Sequence, residues 1–279
     1  MSKRARIAVK VALWAACLFP VALLVYEFQT DRLGVNPIDH VTRTLGDWTL
    51  RLLLVSLSLT PLRLLFGISW QMSLRRLLGL FAFFYASLHF SVWIGLDHFF
   101  DWEQLVADVW KRPYITVGVL GLVLLVPLAA TSTTGMVKRL GGRNWRRLHR
   151  LVYVAAMLGV LHYLWLAKKG VNDPFLYAGA LVVLLGIRLW DWARRVGKQR
   201  WPGLSTSGGF RMTARRTVIL LALLSLGFAG GTVGPAAGQA LRRGQPAPEL
   251  TGGPWINSPP LTLGSLKGRV VLVEFWTYG

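Results

Sequence analysis

Cysteine is almost absent from this sequence. Among its 279 residues there is one cysteine, Cys17. A single thiol cannot form a disulfide, a zinc site ligated by cysteines or an iron–sulfur cluster within one copy of the chain. Metal chemistry within one copy must therefore depend on histidine.

Acidic residues are also scarce. There are 12 Asp and Glu against 32 Lys and Arg, which gives a net charge of +20. In a soluble protein this excess would suggest nucleic-acid binding. Here the chain is 53% hydrophobic with a mean hydropathy of +0.46, which is typical of a protein that crosses a membrane several times. Because the basic residues lie between apolar runs, we interpret them as topology signals in a lipid-embedded protein and expect no nucleic-acid partner.

The apolar runs are long enough to cross a bilayer as helices. They span residues 8–27, 45–66, 76–96, 114–134, 149–167, 174–194 and 215–234. The segments that would face the cytoplasm are rich in Lys and Arg and contain one acid, Asp191, whereas most acids lie in the outer segments. The positive-inside rule then places the N-terminus in the cytoplasm. The expected fold is an all-α membrane protein.

Two histidines lie deep inside these runs at matching depths. His89 lies 13 residues after Arg76, and His162 lies 12 residues after Arg150. At about 1.5 Å per helical residue, both are roughly 18–20 Å from the basic edge and therefore nearer the outer face. Two imidazoles at one level of a bundle can bind a haem iron from both faces. The alternative is a pair of core histidines hydrogen-bonded to serines or carbonyls.

His149 differs from this pair. It lies 13 residues before His162, which on a continuous helix places it about 20 Å lower and about 140° around the axis. The position 13 residues before His89 is Arg76 rather than histidine. A second bis-histidine site is therefore incomplete, and His149 is either a ligand or an interfacial histidine.

The outer segments contain the other two histidines. His40 and His98 lie in outer loops and are not expected to be ligands. Residues 97–112 combine acids with Phe and Trp, a pattern typical of an amphipathic segment that anchors at the membrane surface.

Several separate motifs lie between residues 36 and 166. They are Asn36-Pro37-Ile38-Asp39, Gly46-Asp47-Trp48, Thr60-Pro61-Leu62-Arg63, Arg75-Arg76-x-Leu78-Gly79, Leu88-His89-Phe90, Lys111-Arg112-Pro113-Tyr114-Ile115-Thr116, Pro127-Leu128-Ala129-x-Thr131-Ser132, Trp145-Arg146-Arg147-Leu148-His149-Arg150-Leu151-Val152-Tyr153 and His162-Tyr163-x-Trp165-Leu166. Together they resemble the MsrQ (YedZ) family of haem-binding membrane subunits, which is related to the transmembrane domain of ferric reductases. The resemblance extends over about residues 5–195.

The resemblance implies a fold, a cofactor and a partner. It implies a six-helix ferric-reductase-like bundle over residues 1–200 that binds haem b, with His89, His149 and His162 as ligands. Such a subunit passes electrons to MsrP, a periplasmic molybdenum enzyme that repairs methionine sulfoxide, and is not itself the catalytic subunit. The resemblance also implies a location in the bacterial inner membrane. The electron donor would be the quinone pool or a flavin reductase, and FMN or quinone would bind near Arg75 and Arg76.

The C-terminal part extends beyond this resemblance. Residues 201–214 form a Gly/Ser-rich linker, and 215–234 are either a seventh membrane helix or an export signal that begins with Arg215 and Arg216. Either places the tail, 235–279, in the periplasm. Its β-branched run Val270–Trp276 predicts a strand and resembles the opening of TlpA/DipZ-type thioredoxin-like domains. The Cys-x-x-Cys pair is missing, so we expect an incomplete domain that ends at a selenocysteine codon interpreted as a stop, at a frameshift or at a real truncation.

Three functions are compatible with these features. The first is a haem-b electron carrier for a periplasmic methionine sulfoxide reductase. The second is a stand-alone ferric- or oxygen-reductase domain, although no cytoplasmic nicotinamide- or flavin-binding domain follows the bundle in this sequence. The third is a membrane scaffold without redox chemistry, which leaves the matched histidines unexplained.

Overall fold

The computed structural model describes residues 2–67, 69–166, 173–200, 259 and 261–271. Within these ranges the secondary structure is helical, and eight α-helices are found. They are α1 (Lys3–Gln29), α2 (Pro37–Phe66), α3 (Arg75–Val92), α4 (Trp102–Lys111), α5 (Pro113–Ala130), α6 (Thr134–Leu148), α7 (Leu151–Leu166) and α8 (Asp173–Arg200). A 3₁₀ turn, Trp70–Leu74, leads into α3, and a π-helical turn, Trp93–Asp97, extends it.

The chain divides into two compact units, Met1–Val233 and Gly234–Gly279. All eight α-helices belong to the first unit. The described part of the second unit contains one short 3₁₀ turn, Gly264–Leu266. The predicted seventh span, 215–234, and most of the predicted strand lie outside the described residues, while Val270 and Val271 have no regular structure.

The long helices have the length and composition of membrane spans. Within the part of the chain that the structure describes, five segments qualify: Arg4–Gln29, Pro37–Phe66, Trp70–Asp97, Pro113–Ala130 and Asp173–Val196. The pair α6 and α7, which is bent by 43°, makes a sixth if it is counted as one span. The chain is therefore a multi-pass helical membrane protein, as its composition indicates.

Local sequence signals determine where several helices begin and end. The Asn36 side chain accepts a hydrogen bond from the Asp39 backbone N–H at 3.2 Å, and Pro37 occupies the first turn of α2. Gly67 ends α2 in the left-handed region, with φ of 70°, which glycine adopts without steric cost. Asp101 and Thr133 cap α4 and α6 in the same manner as Asn36. The turns between spans are thus encoded by local capping residues.

The largest difference from the sequence-based expectation lies between residues 131 and 150. We expected spanning helices over 114–134 and 149–167, but α5 ends at Ala130 and the separate helix α6 follows. Its many basic residues make α6 amphipathic rather than apolar, and Gly141, with φ of 72°, bends it. His149 therefore lies in the turn between α6 and α7 rather than inside a spanning helix. The ideal-helix angle between His149 and His162 does not apply.

Helix α2 lies at the centre of the first unit. It packs along α3 and also contacts α7 and α8, while α5 packs along α7. Leu54 and Leu57 of α2 are fully buried. Arg188 of α8 reaches across the bundle, where its guanidinium donates to the Leu57 carbonyl at 2.5 Å and to the Tyr153 hydroxyl of α7. The two closely packed helix pairs, α2 with α3 and α5 with α7, surround the interior.

Helix α4 is short and two-sided. Leu105 and Asp108 are buried against the bundle, whereas Trp102, Val106 and Trp110 are exposed at four-residue spacing. This is the geometry expected of an amphipathic surface segment, and its anchoring in lipid stays a prediction.

A buried tyrosine provides a test of the bundle packing. Tyr85 of α3 is 0% exposed, and its hydroxyl donates to the Cys17 carbonyl of α1 at 2.6 Å. We expect Tyr85→Phe to lower the free energy of unfolding in detergent by about 1 kcal/mol, because one buried hydrogen bond is lost. Tyr26→Phe, which alters a half-exposed ring on α1, is the matched control. Equal stability of the two variants would contradict the expectation.

Candidate functional site

His89 and His162 lie opposite each other inside the bundle. Their ring centroids are 6.2 Å apart and the ring planes are nearly perpendicular, at 83°. Bonds from a metal to an imidazole nitrogen are about 2 Å long, so two imidazoles on opposite sides of one metal have ring centres about 6 Å apart. The two rings therefore lie at one level of the bundle, and their separation suits two imidazoles that bind one metal.

The His89 ring is fixed by helix α2. Its Nδ1–H donates to the Thr42 carbonyl at 2.8 Å. Gly46, one turn further along α2, faces the same ring, and a Cβ added at Gly46 would lie 3.2 Å from Cε1 of His89. With its proton on Nδ1, a neutral imidazole has its lone pair on Nε2. The bond to Thr42 thus leaves Nε2 as the nitrogen available to a metal.

The His162 ring is fixed in the same way by helix α5. Its Nδ1–H donates to the Tyr114 carbonyl at 2.6 Å. Gly118 lies against the ring so closely that an added Cβ would be 2.8 Å from Nδ1 of His162. Such a contact is shorter than a Cβ can tolerate. Both histidines therefore use a backbone carbonyl as the second partner that commonly orients a metal-binding histidine.

A cavity of about 380 Å³ lies between α2, α3, α5 and α7. Small residues line much of it. They include Gly46, Ala86, Gly118, Gly121, Ala155 and Gly159. Aliphatic and aromatic residues cover most of the remaining wall, and both histidines face the space. The volume falls within the range of about 300–1,000 Å³ typical of cofactor pockets. A largely apolar cavity with two opposed imidazoles can hold a flat metal-containing group.

One wall of the cavity is polar. Asp47 and Tyr163 both line it. Arg51 lies one turn from Asp47, at 3.9 Å, and donates to the Tyr177 hydroxyl at 2.8 Å. The Arg51 guanidinium also lies 5.2 Å from the centre of the Trp48 ring. An ion pair within apolar helices requires such a network, because an unpaired charge there would be costly.

His149 is held in a separate cluster at the other end of α7. Its ring stacks on Trp145 at a centroid distance of 3.9 Å. Its Nε2 lies 3.1 Å from the Thr131 hydroxyl, and the Trp145 indole N–H donates to the Thr131 carbonyl at 2.9 Å. His149 is not among the residues that line the cavity. The structure therefore does not bring all three predicted ligands together.

The two predicted cofactor-binding arginines lie at the first turn of α3. Arg75 is half-buried and close enough to His149 for its charge to act on the ring, whereas Arg76 is exposed. Neither lines the cavity between His89 and His162. Arg75, Arg76 and His149 thus belong to the opposite end of the bundle from the histidine pair.

The two histidines that the sequence analysis assigned to outer segments have local carboxylate partners. His40 lies 3.3 Å from a Glu27 carboxylate oxygen, and His98 lies 3.5 Å from Asp108. Within the described residues no group of three or more His, Cys, Asp or Glu forms a metal site. That neither His40 nor His98 is a ligand stays a prediction.

Sequence reasoning missed the residues that orient the two imidazoles. These are Gly46 and Gly118 and the backbone carbonyls of Thr42 and Tyr114. The identity of a side chain gives no direct indication of such a role. The available signal was a glycine inside each apolar run, since glycine is unfavourable in a helix interior unless something approaches the backbone closely.

Comparisons with known proteins match this geometry. Residues 45–160 match the family described as ferric reductase like transmembrane component. The matched range includes His89 and His149 and ends two residues before His162. A protein-methionine-sulfoxide reductase heme-binding subunit MsrQ from Herminiimonas arsenicoxydans is 51% identical over 201 residues, covering 71% of this chain and 92% of the relative. The MsrQ of Rhodospirillum rubrum is 52% identical over 193 residues, covering 69% of this chain and 93% of the relative. The chain belongs to the MsrQ family.

A more distant MsrQ has nearly the same extent of similarity. The Caulobacter vibrioides protein is 47% identical over 185 residues, which cover 66% of this chain and 88% of that MsrQ. No solved structure matches the chain. The histidine pair and its glycine contacts are thus features of the interior of an MsrQ-family bundle.

The cluster around His149 can be tested without any cofactor. Thr131→Val keeps the side-chain shape but removes the hydroxyl that bonds Nε2. We expect His149 to react roughly fivefold faster with a carbethoxylating reagent, which corresponds to the loss of one hydrogen bond of about 1 kcal/mol. The modified residue is identified by mass spectrometry. Thr30→Val, which removes a hydroxyl bonded to the Tyr26 carbonyl, is the control; an unchanged rate in Thr131→Val would mean that Thr131 does not hold the ring.

Proposed function

We propose that this protein is a haem-b electron-transfer subunit of the bacterial inner membrane that serves a periplasmic molybdenum-containing methionine sulfoxide reductase. The observation on which this depends is the opposed pair His89 and His162, 6.2 Å apart across an apolar cavity. The MsrQ relatives are named as heme-binding subunits of protein-methionine-sulfoxide reductase, which supports the same assignment.

The residues of the cavity fit haem b. His89 and His162 would bind the iron through Nε2, because Nδ1 of each donates to a carbonyl. Glycine and alanine on the surrounding helices leave room for a flat ring system, and the leucines exclude water from it. Bound there, haem b supplies a carrier that accepts and releases one electron. The protein contributes orientation and an apolar environment.

The charge distribution supports a direction of electron transfer toward the periplasm. The basic residues of α6, among them Lys138, Arg139 and Arg143, favour a cytoplasmic location for that end, with the N-terminus on the same side. The histidine pair then lies nearer the periplasmic face. Electrons would enter from quinol or a flavin reductase and leave toward the periplasmic enzyme, a short final step. No catalytic residue is assigned to this chain itself.

A second cofactor region is proposed at the cytoplasmic end. His149 would be a further haem ligand, and Arg75 and Arg76 would bind the anionic group of FMN or hold a quinone head group. In support, Arg75 is close enough to His149 for its charge to act on it. A basic group of this kind at the membrane interface attracts phosphate.

The domain division is also part of the proposal. Residues 1–200 would form the six-helix ferric-reductase-like bundle, 201–214 a cytoplasmic linker, 215–234 a seventh membrane helix or export signal, and 235–279 a periplasmic segment related to the opening of thioredoxin-like domains. The support for the last two is the apolar run and the β-branched run in the sequence.

A stand-alone ferric reductase is the alternative function. The match of residues 45–160 to the ferric reductase transmembrane family favours it, because the same bundle could reduce an iron complex outside the cell membrane. The two functions differ in the acceptor and not in the haem site.

The haem assignment predicts distinct effects of the histidine variants. His89→Ala or His162→Ala should abolish the haem of the outer site, because each removes one axial ligand, whereas His149→Ala should retain at least part of the haem-b signal. The measurement is the reduced-minus-oxidised absorption spectrum of the purified protein. His40→Ala, which removes an exposed outer histidine, is the control. Full haem retention in His89→Ala would refute the pairing.

Electron delivery is predicted to be sided. The full chain, reconstituted in vesicles with a flavin reductase and its reductant on the cytoplasmic face, should reduce a periplasmic methionine sulfoxide reductase added to the opposite face. The His89→Ala variant should reduce it at least tenfold more slowly, which corresponds to about 1.4 kcal/mol. Reduction of ferric complexes alone on that face would favour the alternative function, and reduction confined to cytoplasmic acceptors would contradict both.

A further inference from the structure

The walls of the histidine cavity repeat along the chain. Thr42 and Gly46 of α2 correspond in position to Tyr114 and Gly118 of α5, each 72 residues later. On the partner helices, His89 of α3 corresponds to His162 of α7, which lies 73 residues later. The spacing between the carbonyl and its histidine is 47 residues in the first half and 48 in the second.

The repeat extends to the residues around the histidines. Leu50 and Leu53 of α2 have Leu122 and Leu125 of α5 as counterparts at the same 72-residue offset. Ala86, three residues before His89, corresponds to Gly159, three residues before His162. Each half thus consists of one helix that offers a carbonyl and a glycine four residues later, and a second helix that offers the histidine.

Helix geometry explains why the residue four positions after the carbonyl is glycine. Positions i and i+4 lie on the same helix face, and each Cα–Cβ bond is tilted toward the helix N-terminus. A side chain at Gly46 or Gly118 would therefore project over the carbonyl of Thr42 or Tyr114. That space is occupied by the imidazole that donates to this carbonyl.

We propose that Gly46 and Gly118 are positioning residues for His89 and His162. Because a glycine leaves space over the helix carbonyl, each imidazole can donate to it from Nδ1 and present Nε2 to one iron from opposite sides. The inference rests on the proposed function, because it takes the two histidines as the haem ligands. It adds that the ligand geometry is set by the glycines on the facing helices rather than by the helices that contain the histidines.

The two glycines are not equivalent. An added Cβ at Gly118 would lie 2.8 Å from Nδ1 and 3.0 Å from Cε1 of His162, so the ring must move away from the Tyr114 carbonyl. At Gly46 the nearest atom of His89 would be 3.2 Å away, which a small shift can relieve. Gly118→Ala is therefore the more severe change, and Gly46→Ala the milder one.

Glycines elsewhere in the bundle provide matched controls. Gly179 and Gly186 of α8 are exposed, and an added Cβ at either would meet no atom within 4 Å. Because alanine favours a helix more than glycine does, Gly179→Ala and Gly186→Ala should be neutral or stabilising. The same chemical change is thus made with and without a histidine nearby.

The experiment titrates each purified full-length apo variant with ferric haem and records absorption and electron paramagnetic resonance spectra. We expect Gly118→Ala to bind haem about 10–100-fold more weakly, as is usual when the second partner of a metal-binding histidine is lost, and to lose the low-spin signal of two axial imidazoles. Gly46→Ala should keep its haem with a shifted signal. The two controls should match the wild type in affinity and spectrum.

A second measurement separates positioning from general packing. In a His162→Gly background, free imidazole can replace the missing ligand without being tied to the chain. If Gly118 acts through His162, adding Gly118→Ala to this background should no longer weaken haem binding in the presence of imidazole. An equal loss in both backgrounds would overturn the positioning role and indicate a packing defect.

The outcomes also separate this inference from the proposed function. If His162→Ala loses the haem while Gly118→Ala and Gly46→Ala behave like the controls, the haem site stands and the positioning role is wrong. If His162→Ala and His89→Ala retain the haem, the proposed ligand pair itself is wrong, whatever the glycine variants do.

Discussion

Polar side chains inside apolar helices must find hydrogen-bond partners within the protein, because lipid offers none. In this bundle the partners are repeatedly backbone carbonyls of neighbouring helices. Tyr85 bonds the Cys17 carbonyl, Arg188 bonds that of Leu57, and the two cavity histidines bond those of Thr42 and Tyr114. These bonds join α1, α2, α3, α5, α7 and α8 across the interior. The same requirement that stabilises the fold therefore also fixes the orientation of the histidines.

The repeated halves of the cavity are not identical. Asp47 on α2 corresponds to Val119 on α5, and Tyr163 on α7 corresponds to Phe90 on α3. Asp47 and Tyr163 thus make one wall polar while the equivalent wall is apolar. A group bound between the histidines would be exposed to an asymmetric field, even though the two imidazoles are held alike. Charge near a metal is one of the means by which a protein tunes its chemistry.

The depth of His89 and His162 could be predicted from the sequence, because the rise of a helix and the position of the basic residues are sufficient to place a residue along a span. The break at His149 could not be predicted, because the stretch around it is otherwise periodic. Thr131 bonds a carbonyl at the end of α5, Thr133 caps the start of α6, and the basic face of α6 makes that helix amphipathic. The contacts between the glycines and the imidazoles could not be predicted from the sequence either. They depend on which helices are neighbours and at what register, and periodicity gives neither.

The way the imidazoles are held has a kinetic consequence. Each ring is tied at one nitrogen and enclosed by a helix backbone only a few ångströms away, so it cannot rotate or withdraw when the charge on its other nitrogen changes. If the pair binds haem as proposed, its imidazoles are already in place and would undergo little rearrangement when an electron arrives or leaves. The rate of transfer through such a site is then governed by the distance and driving force between donor and acceptor, and the protein need not move at each step.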